Sequence, residues 1–209
     1  MIRSIIFMLV LLTAVPAFAG PGVRGVMRAG IRCLPSVLHE VTVTAPTGEG
    51  WNVLPTWYSD SCLQNPGAQI DLYGGGGGGA YGVYGDGAAG DHVVTAVPPG
   101  EWYDIWSGNG GAGGSSVGAT VNGGTGYTNG ANGTSYGAGG GSAAVTYDGA
   151  LVAQAKGGNS AGGQLGGGTS SGGAVFPQEG AIGGAQGGAG LDGYPGSNGS
   201  VVIRYYTAP

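Results

Sequence analysis

His39 and His92 are the chain's two imidazoles and Cys33 and Cys62 its two thiols, the side chains that serve both proton transfer or nucleophilic attack near neutral pH and ligation of transition metals. Neither histidine lies in a nucleophile motif, and the two have no ligand spacing with the cysteines, which form no Cys-x-x-Cys pair. Gly-x-Gly-x-x-Gly matches abound, as chance dictates in a chain with 52 glycines among 209 residues, and Lys156 is followed by Gly157-Gly158 where a phosphate loop needs Ser or Thr. The run Gly187-Gly188-Ala189-Gly190-Leu191-Asp192 matches the start of a calcium-binding β-roll repeat, but a roll needs stacked neighbours. Asp86, Asp91 and Asp104 offer isolated oxygens for a hard cation. No catalytic residue, cofactor or metal ligand is therefore assigned, and the reading is non-enzymatic.

The residues suited to contact are of another kind. Tyr127, Asn129, Asn132 and Tyr136 combine amphipathic rings with adaptable polar groups, and Phe176, Gln178 and Glu179 form an apolar knob with polar flanks in a field of glycine. They fall in the stretches Ser115 to Tyr136 and Thr169 to Ile182 which, with Ala80 to Asp91, are the candidate loops between more regular segments. Loops held by a rigid scaffold are where binding residues concentrate. Trp51, Trp57, Trp102 and Trp106 can be read as a sugar-stacking platform or as apolar filling for a base. Alternation sends Trp102 and Trp106 to one face, and the filling role is favoured because the glycines bring no apolar side chains.

The scaffold is written in the glycines. Gly184, Gly187, Gly190, Gly193, Gly196 and Gly199 recur every third residue, the period of a polyproline II screw, and the segment reads as one rod whose side-chain-free edge lets neighbours bond amide to carbonyl. Ordering so many glycines is entropically costly. Composition alone favours disorder, but apolar runs at Ile70 to Tyr73, His92 to Val97, Glu101 to Trp106, Ala143 to Tyr147, Ala150 to Ala155 and Val201 to Tyr206 argue for a folded chain. They predict an all-β protein with almost no α-helix, in which strands alternate with glycine segments that form a bundle of polyglycine helices.

Residues 1–19 read as a signal peptide, with Arg3, an apolar stretch from Ile5 to Leu12, and Ala17-Phe18-Ala19 before a cut at Gly20. That apolar core is too short to span a bilayer, so no stable membrane span is expected after cleavage and the mature chain is expected to be secreted. Residues 20–50 are read as an arm with a short strand at Val41 to Thr44, and 51–209 as the glycine-rich domain. In an exported chain Cys33 and Cys62 are expected to pair as a disulfide, with metal ligation or free thiols as the alternatives. Arg24, Arg28 and Arg32 make the arm basic, whereas the remainder holds Lys156 and Arg204 against many carboxylates in a chain of net charge −5. Such a body lacks the cations that phosphate contacts require, which excludes nucleic acid as a partner.

Trp51-Asn52-Val53-Leu54-Pro55-Thr56-Trp57, then Ile70-Asp71-Leu72-Tyr73 entering Gly74 to Gly79, resembles, apart from the extra Leu54, the entry of the glycine-rich domain family of phage tail fibres and adhesins. Val97-Pro98-Pro99-Gly100-Glu101-Trp102-Tyr103-Asp104-Ile105 before Gly108-Asn109-Gly110-Gly111 resembles its second strand and block. Thr134-Ser135-Tyr136 with Leu151 to Gly158 resembles the middle strands and third block, and Gly199 to Tyr205 the closing strand. Phage tail proteins ordinarily lack a signal peptide; related glycine-rich folds occur in bacterial surface proteins and in receptor ectodomains such as that of anaplastic lymphoma kinase. The resemblance implies a β-sandwich-like base carrying a bundle of polyglycine II helices, on a virion surface as an alternative to a secreted chain. It implies recognition of a host or neighbouring cell-surface receptor, protein or glycan, by loops at the tips of that scaffold, and is compatible with a homo-oligomer. The alternative function is structural or protective: a spike, matrix or ice-facing protein in which the rod lattice itself is the working part.

Overall fold

The computed structural model describes residues 37–44, 49–52, 67–82, 84–98 and 101–207. The signal-peptide reading, both cysteines, the arginine arm and Trp57 lie outside the described residues. Within them the chain is all-β. Nine strands run in order β1 (Val37–Val43), β2 (Glu49–Asn52), β3 (Ala68–Tyr73), β4 (His92–Val97), β5 (Trp102–Trp106), β6 (Ala143–Tyr147), β7 (Ala150–Ala155), β8 (Ala174–Phe176) and β9 (Ser200–Thr207). They form two antiparallel sheets, one ordered β1-β9-β3-β4-β8 and the other β2-β5-β6-β7. Among the described residues no helix is long and apolar enough to cross a membrane.

Period-two alternation fixes which side chains meet. In β3, Ala68, Ile70 and Leu72 face inward, joined by Val93 and Val97 of β4 and Val201 and Ile203 of β9. The second sheet adds Tyr103, Ile105, Ala143, Val145, Ala153 and Ala155 to the same core cluster. The filling role expected of the tryptophans is not what the structure shows for Trp102, which is 63% exposed. Trp102 and Trp106 do share a face of β5, but it is the face away from the core; the intervening Tyr103 and Ile105 are buried instead. Among the described residues Tyr103 is the aromatic buried in this cluster, with the partly buried Tyr205 packed against it.

The stretch read as an arm contributes more than a short strand. All seven residues of β1 pair with β9, Val37 opposite Thr207 and Val43 opposite Val201, so the first and last strands lie side by side. β2 and β8, too short to leave a periodic signal, were not anticipated.

Beyond the strands, glycine segments bond to one another through the backbone in a pattern that repeats every third residue. The amides of Gly74, Gly75 and Gly76 donate to the carbonyls of Asp91, Gly141 and Ser197, and those of Gly77, Gly78 and Gly79 return to the same three neighbours at Ala88, Ala138 and Tyr194. The partner numbers fall as the donor numbers rise, so these three neighbours run antiparallel. The carbonyls of residues 74–79 accept, in the same rotation, from Ala181, Gly158, Gly111, Gly184, Ala161 and Gly114. Here the numbers rise together, and the three neighbours run parallel.

The neighbours in turn bond around a closed ring, through Gly87 to Gly184, Tyr194 to Ala185, Gly196 to Gly111, Ala138 to Ala112, Gly140 to Gly158 and Ala88 to Asn159. Residues 74–79 are thus enclosed on six sides with every amide and carbonyl bonded, which buried backbone demands. Residues 138–141 are a second interior segment, with Gly124, Ala131 and Gly167 adding bonds from three further passes. A Cβ on any of Gly74 to Gly79 would fall closer than 3.0 Å to a carbonyl of a parallel neighbour. That close approach, rather than a need for unusual backbone angles, is why six consecutive glycines stand here.

The three-residue run from Gly184 to Gly199 is not one rod. Leu191 N bonds to Gly188 O and Gly190 takes a left-handed φ of 77°, so the chain reverses there, and residues 180–187 and 191–199 are antiparallel neighbours. The glycine period continues unbroken through the reversal, which hides the turn in the sequence.

Candidate functional site

Residues 74–79 leave β3, reverse at 80–84 and return as 85–91 to β4. Residues 108–114 leave β5, and 156–160 leave β7, in the same direction. The turns that end these outward passes converge. Tyr81 N donates to Ser135 O, Gly82 N to Leu191 O, Ser115 N to Thr134 O, Gly162 N to Tyr136 O and Gly187 N to Ala80 O. Ser116 N adds a bond to the Asp192 carboxylate, which holds that carboxyl below its ordinary range. Five turns are thereby tied into one surface, which presents the Tyr84 ring, 61% exposed, edge-on to Tyr136 with centroids 5.5 Å apart. Val117 and Leu191 are exposed on the same turns.

The residues expected to make contact are spread over the molecule. Tyr136 lies on these turns. Asn132 is exposed, but its Oδ1 accepts from Gly123 N and braces two adjacent passes. Tyr127 and Asn129 sit at the opposite end, beside the second sheet: the Tyr127 ring meets Trp106 edge-on at 6.0 Å, and Asn129 Oδ1 closes a turn from Gly126 N. Next to them Thr128 bonds Ser142, and both receive bonds from the buried Gln154 amide. The stretch Ser115 to Tyr136 therefore runs from the far turns to the sheet end and back, two passes rather than one loop.

Phe176, Gln178 and Glu179 form a third place, at the edge of the five-stranded sheet. Phe176 belongs to β8, Gln178 N donates to the Asp91 carboxylate, and Glu179 lines a recess of about 200 Å³ with Tyr73 and Asn198. Tyr84, Val117 and Leu191 carried no signal beyond their type; what brings them together is hydrogen bonding between distant turns.

A polar cluster on the outer face of the five-stranded sheet was also not foreseen. Asp71, 4% exposed, accepts from Gln69 Nε2 at 3.0 Å, from His92 Nε2 at 3.0 Å and from Arg204 Nη1 at 2.6 Å. Arg204 Nε also donates to Glu40 at 2.8 Å, a bond that raises the guanidinium's pKa, and so links β1, β9 and β3. His92 stacks between Tyr73, centroids 4.3 Å apart, and Phe176, 5.2 Å away. Burial, then the Asp71 charge, pushes the Tyr73 hydroxyl above its usual range. Three donors converging on one buried carboxylate satisfy it. With no hydroxyl or thiol bonded to the imidazole among the described residues, the cluster reads as a lock between strands.

Gly-x-Ser-x-Gly does occur, around Ser116, Ser135, Ser160 and Ser170. None of the four follows a strand into a helix, the context that exposes a nucleophile. Asp86 and Asp91 accept backbone amides from Gln186 and Gln178, and among the described residues no group of three His, Cys, Asp or Glu side chains is placed to hold a metal ion. No protein-family model matches the chain, and no curated protein matches it significantly in sequence.

Proposed function

We propose that the two sheets form a β-sandwich base surmounted by a polyglycine II bundle, and that the chain is a non-enzymatic surface recognition module of adhesin type. In this reading it is secreted or carried on a virion surface and binds a cell-surface protein or glycan through the turns at the far end of the bundle. The observation that carries the proposal is the convergence of five backbone-tied turns around Tyr84 and Tyr136. Six residues of polyglycine II rise about 19 Å, at 3.1 Å per residue, and would hold those rings well clear of the base. Rigid presentation of aromatic rings lowers the ordering cost of binding.

The test is attachment of the mature chain to cells, compared with the double variant Tyr84→Ala, Tyr136→Ala. Attachment falling on the order of tenfold or more with an unchanged melting temperature supports the reading. Attachment that is unaffected overturns it.

The structural alternative keeps a specific observation in its favour. Residues 191–199, 108–114 and 122–125 are bonded in sequence along one side of the interior segments, so their outward faces form a broad surface. If that surface is the working part, turn substitutions leave function intact, and an ice-facing role registers directly as thermal hysteresis.

A further inference from the structure

The outer face of the four-stranded sheet presents a second chemistry, remote in sequence from the turns discussed above. β5 reads Trp102-Tyr103-Asp104-Ile105-Trp106, and its outward side is Trp102, Asp104 and Trp106 in alternation. Strand geometry spaces these about 7 Å apart in succession and the two indoles about 13 Å apart. Their cross-strand neighbours are small where it matters. Gly50 of β2 and Thr146 of β6 lie opposite Asp104, and Ala144 of β6 lies opposite Trp106, whose Nε1 is buried without a partner among the described residues. Trp106 is half-buried and its orientation is set by the edge-on contact with Tyr127.

An indole left 63% exposed on a sheet face offers a broad, rigid apolar ring to a ligand. Two indoles flanking a carboxylate on one flat strand form a linear ligand site: rings to lie against apolar faces, and between them an acceptor for hydroxyl hydrogens. We propose that this face binds a neutral glycan chain, whose sugar rings carry C–H faces for Trp102 and Trp106 and hydroxyls for Asp104. Stacked nucleobases would also suit indoles, but Asp104 between the two rings and the chain's net charge of −5 repel the phosphates that accompany the bases. The site adds a separate glycan contact to whatever the distant turns engage.

The experiment is retention of the purified chain on insoluble cellulose and chitin, with intrinsic tryptophan fluorescence during titration with their soluble oligosaccharides. Retention on either polymer is expected to fall on the order of tenfold with Trp102→Ala and to weaken with Asp104→Asn. The Tyr84→Ala, Tyr136→Ala variant, altered at the other end, retains it in full. Trp102 is exposed enough that its loss leaves the fold intact, and an unchanged melt checks this. Absence of retention on both polymers with no fluorescence change overturns the proposal, as does retention that Trp102→Ala leaves unaltered. Loss of cell attachment in the tyrosine variant with polymer retention preserved separates this site from the proposed function of the turns.

Discussion

The sheets and the glycine segments are held together by opposite means. In the sheets, order comes from side chains: Ile70, Leu72, Val93, Ile105, Val145, Val201 and Ile203 leave water together, and the strands are spaced by what lies between them. In residues 74–79 order comes from their absence, because six neighbours bond directly to the backbone and any Cβ would occupy a carbonyl's place. A packed core tolerates a change of volume at a graded cost, since neighbours shift and rotamers adjust. A backbone lattice has no such slack. One added methyl group must push apart segments whose bonds all depend on contact.

That difference predicts the largest effect for the smallest chemical change. Gly77→Ala would place a methyl group against Asn159 O, inside a segment with neighbours on every side, and the cost is expected to exceed about 5 kcal/mol, the exceptional class for a single substitution. Gly188→Ala is the control. Its Cβ would meet only the flexible end of Leu191 at 3.3 Å, and a shift within about 0.5 kcal/mol is expected. Thermal melts of the two variants decide it: equal destabilisation by both would mean that backbone proximity does not govern the lattice.

The core should respond in proportion. Ile203 is fully buried between β1 and β3, and Ile203→Ala is expected to cost about 2–5 kcal/mol, short of abolishing the fold. Denaturant titration measures this. An Ile203→Ala effect larger than that of Gly77→Ala would reverse the ranking of the two regions.

The two regions were also unequally legible. Ala143 to Tyr147 and Ala150 to Ala155 stand in the sequence as strands with the ends they have in the structure, because alanine and β-branched runs bounded by Ser142, Asp148-Gly149 and Lys156 mark where pairing starts and stops. Val41 to Thr44 showed only part of β1, since Val37 to Glu40 acquire strand structure from pairing with β9, some 160 positions away. β8 has three residues, and its place is set by His92 and the Asp91 carboxylate. The period of three in the last glycine block was visible. The reversal at Gly190 was not, since glycine is acceptable both in the hydrogen-bonded segments and in the left-handed turn. For the same reason Tyr127 and Tyr136 looked like members of one loop although an outward pass separates them. A glycine-rich sequence states its period clearly and its direction hardly at all.

A finer effect separates the turns from both regions. Asp192 is held in its charged form chiefly by the backbone N–H of Ser116, which lowers its pKa from the ordinary carboxylate value. The stabilisation this gives is fully present above the unfolded carboxyl's range and is lost as pH falls through the depressed folded value. Acidification should therefore loosen the contact between the 115–120 and 188–192 turns before it disturbs the apolar core cluster or residues 74–79, neither of which contains a carboxylate side chain. Amide exchange, corrected for intrinsic pH dependence, should show Ser116 losing protection in acid while Ile70 and Gly77 keep theirs. Asp192→Asn retains an oxygen acceptor but not the charge, so it should abolish this pH dependence. The same acid response in that variant would place the sensitivity elsewhere, and would mean that the turns are fixed by the backbone bonds of Tyr81, Gly82 and Ser115 alone.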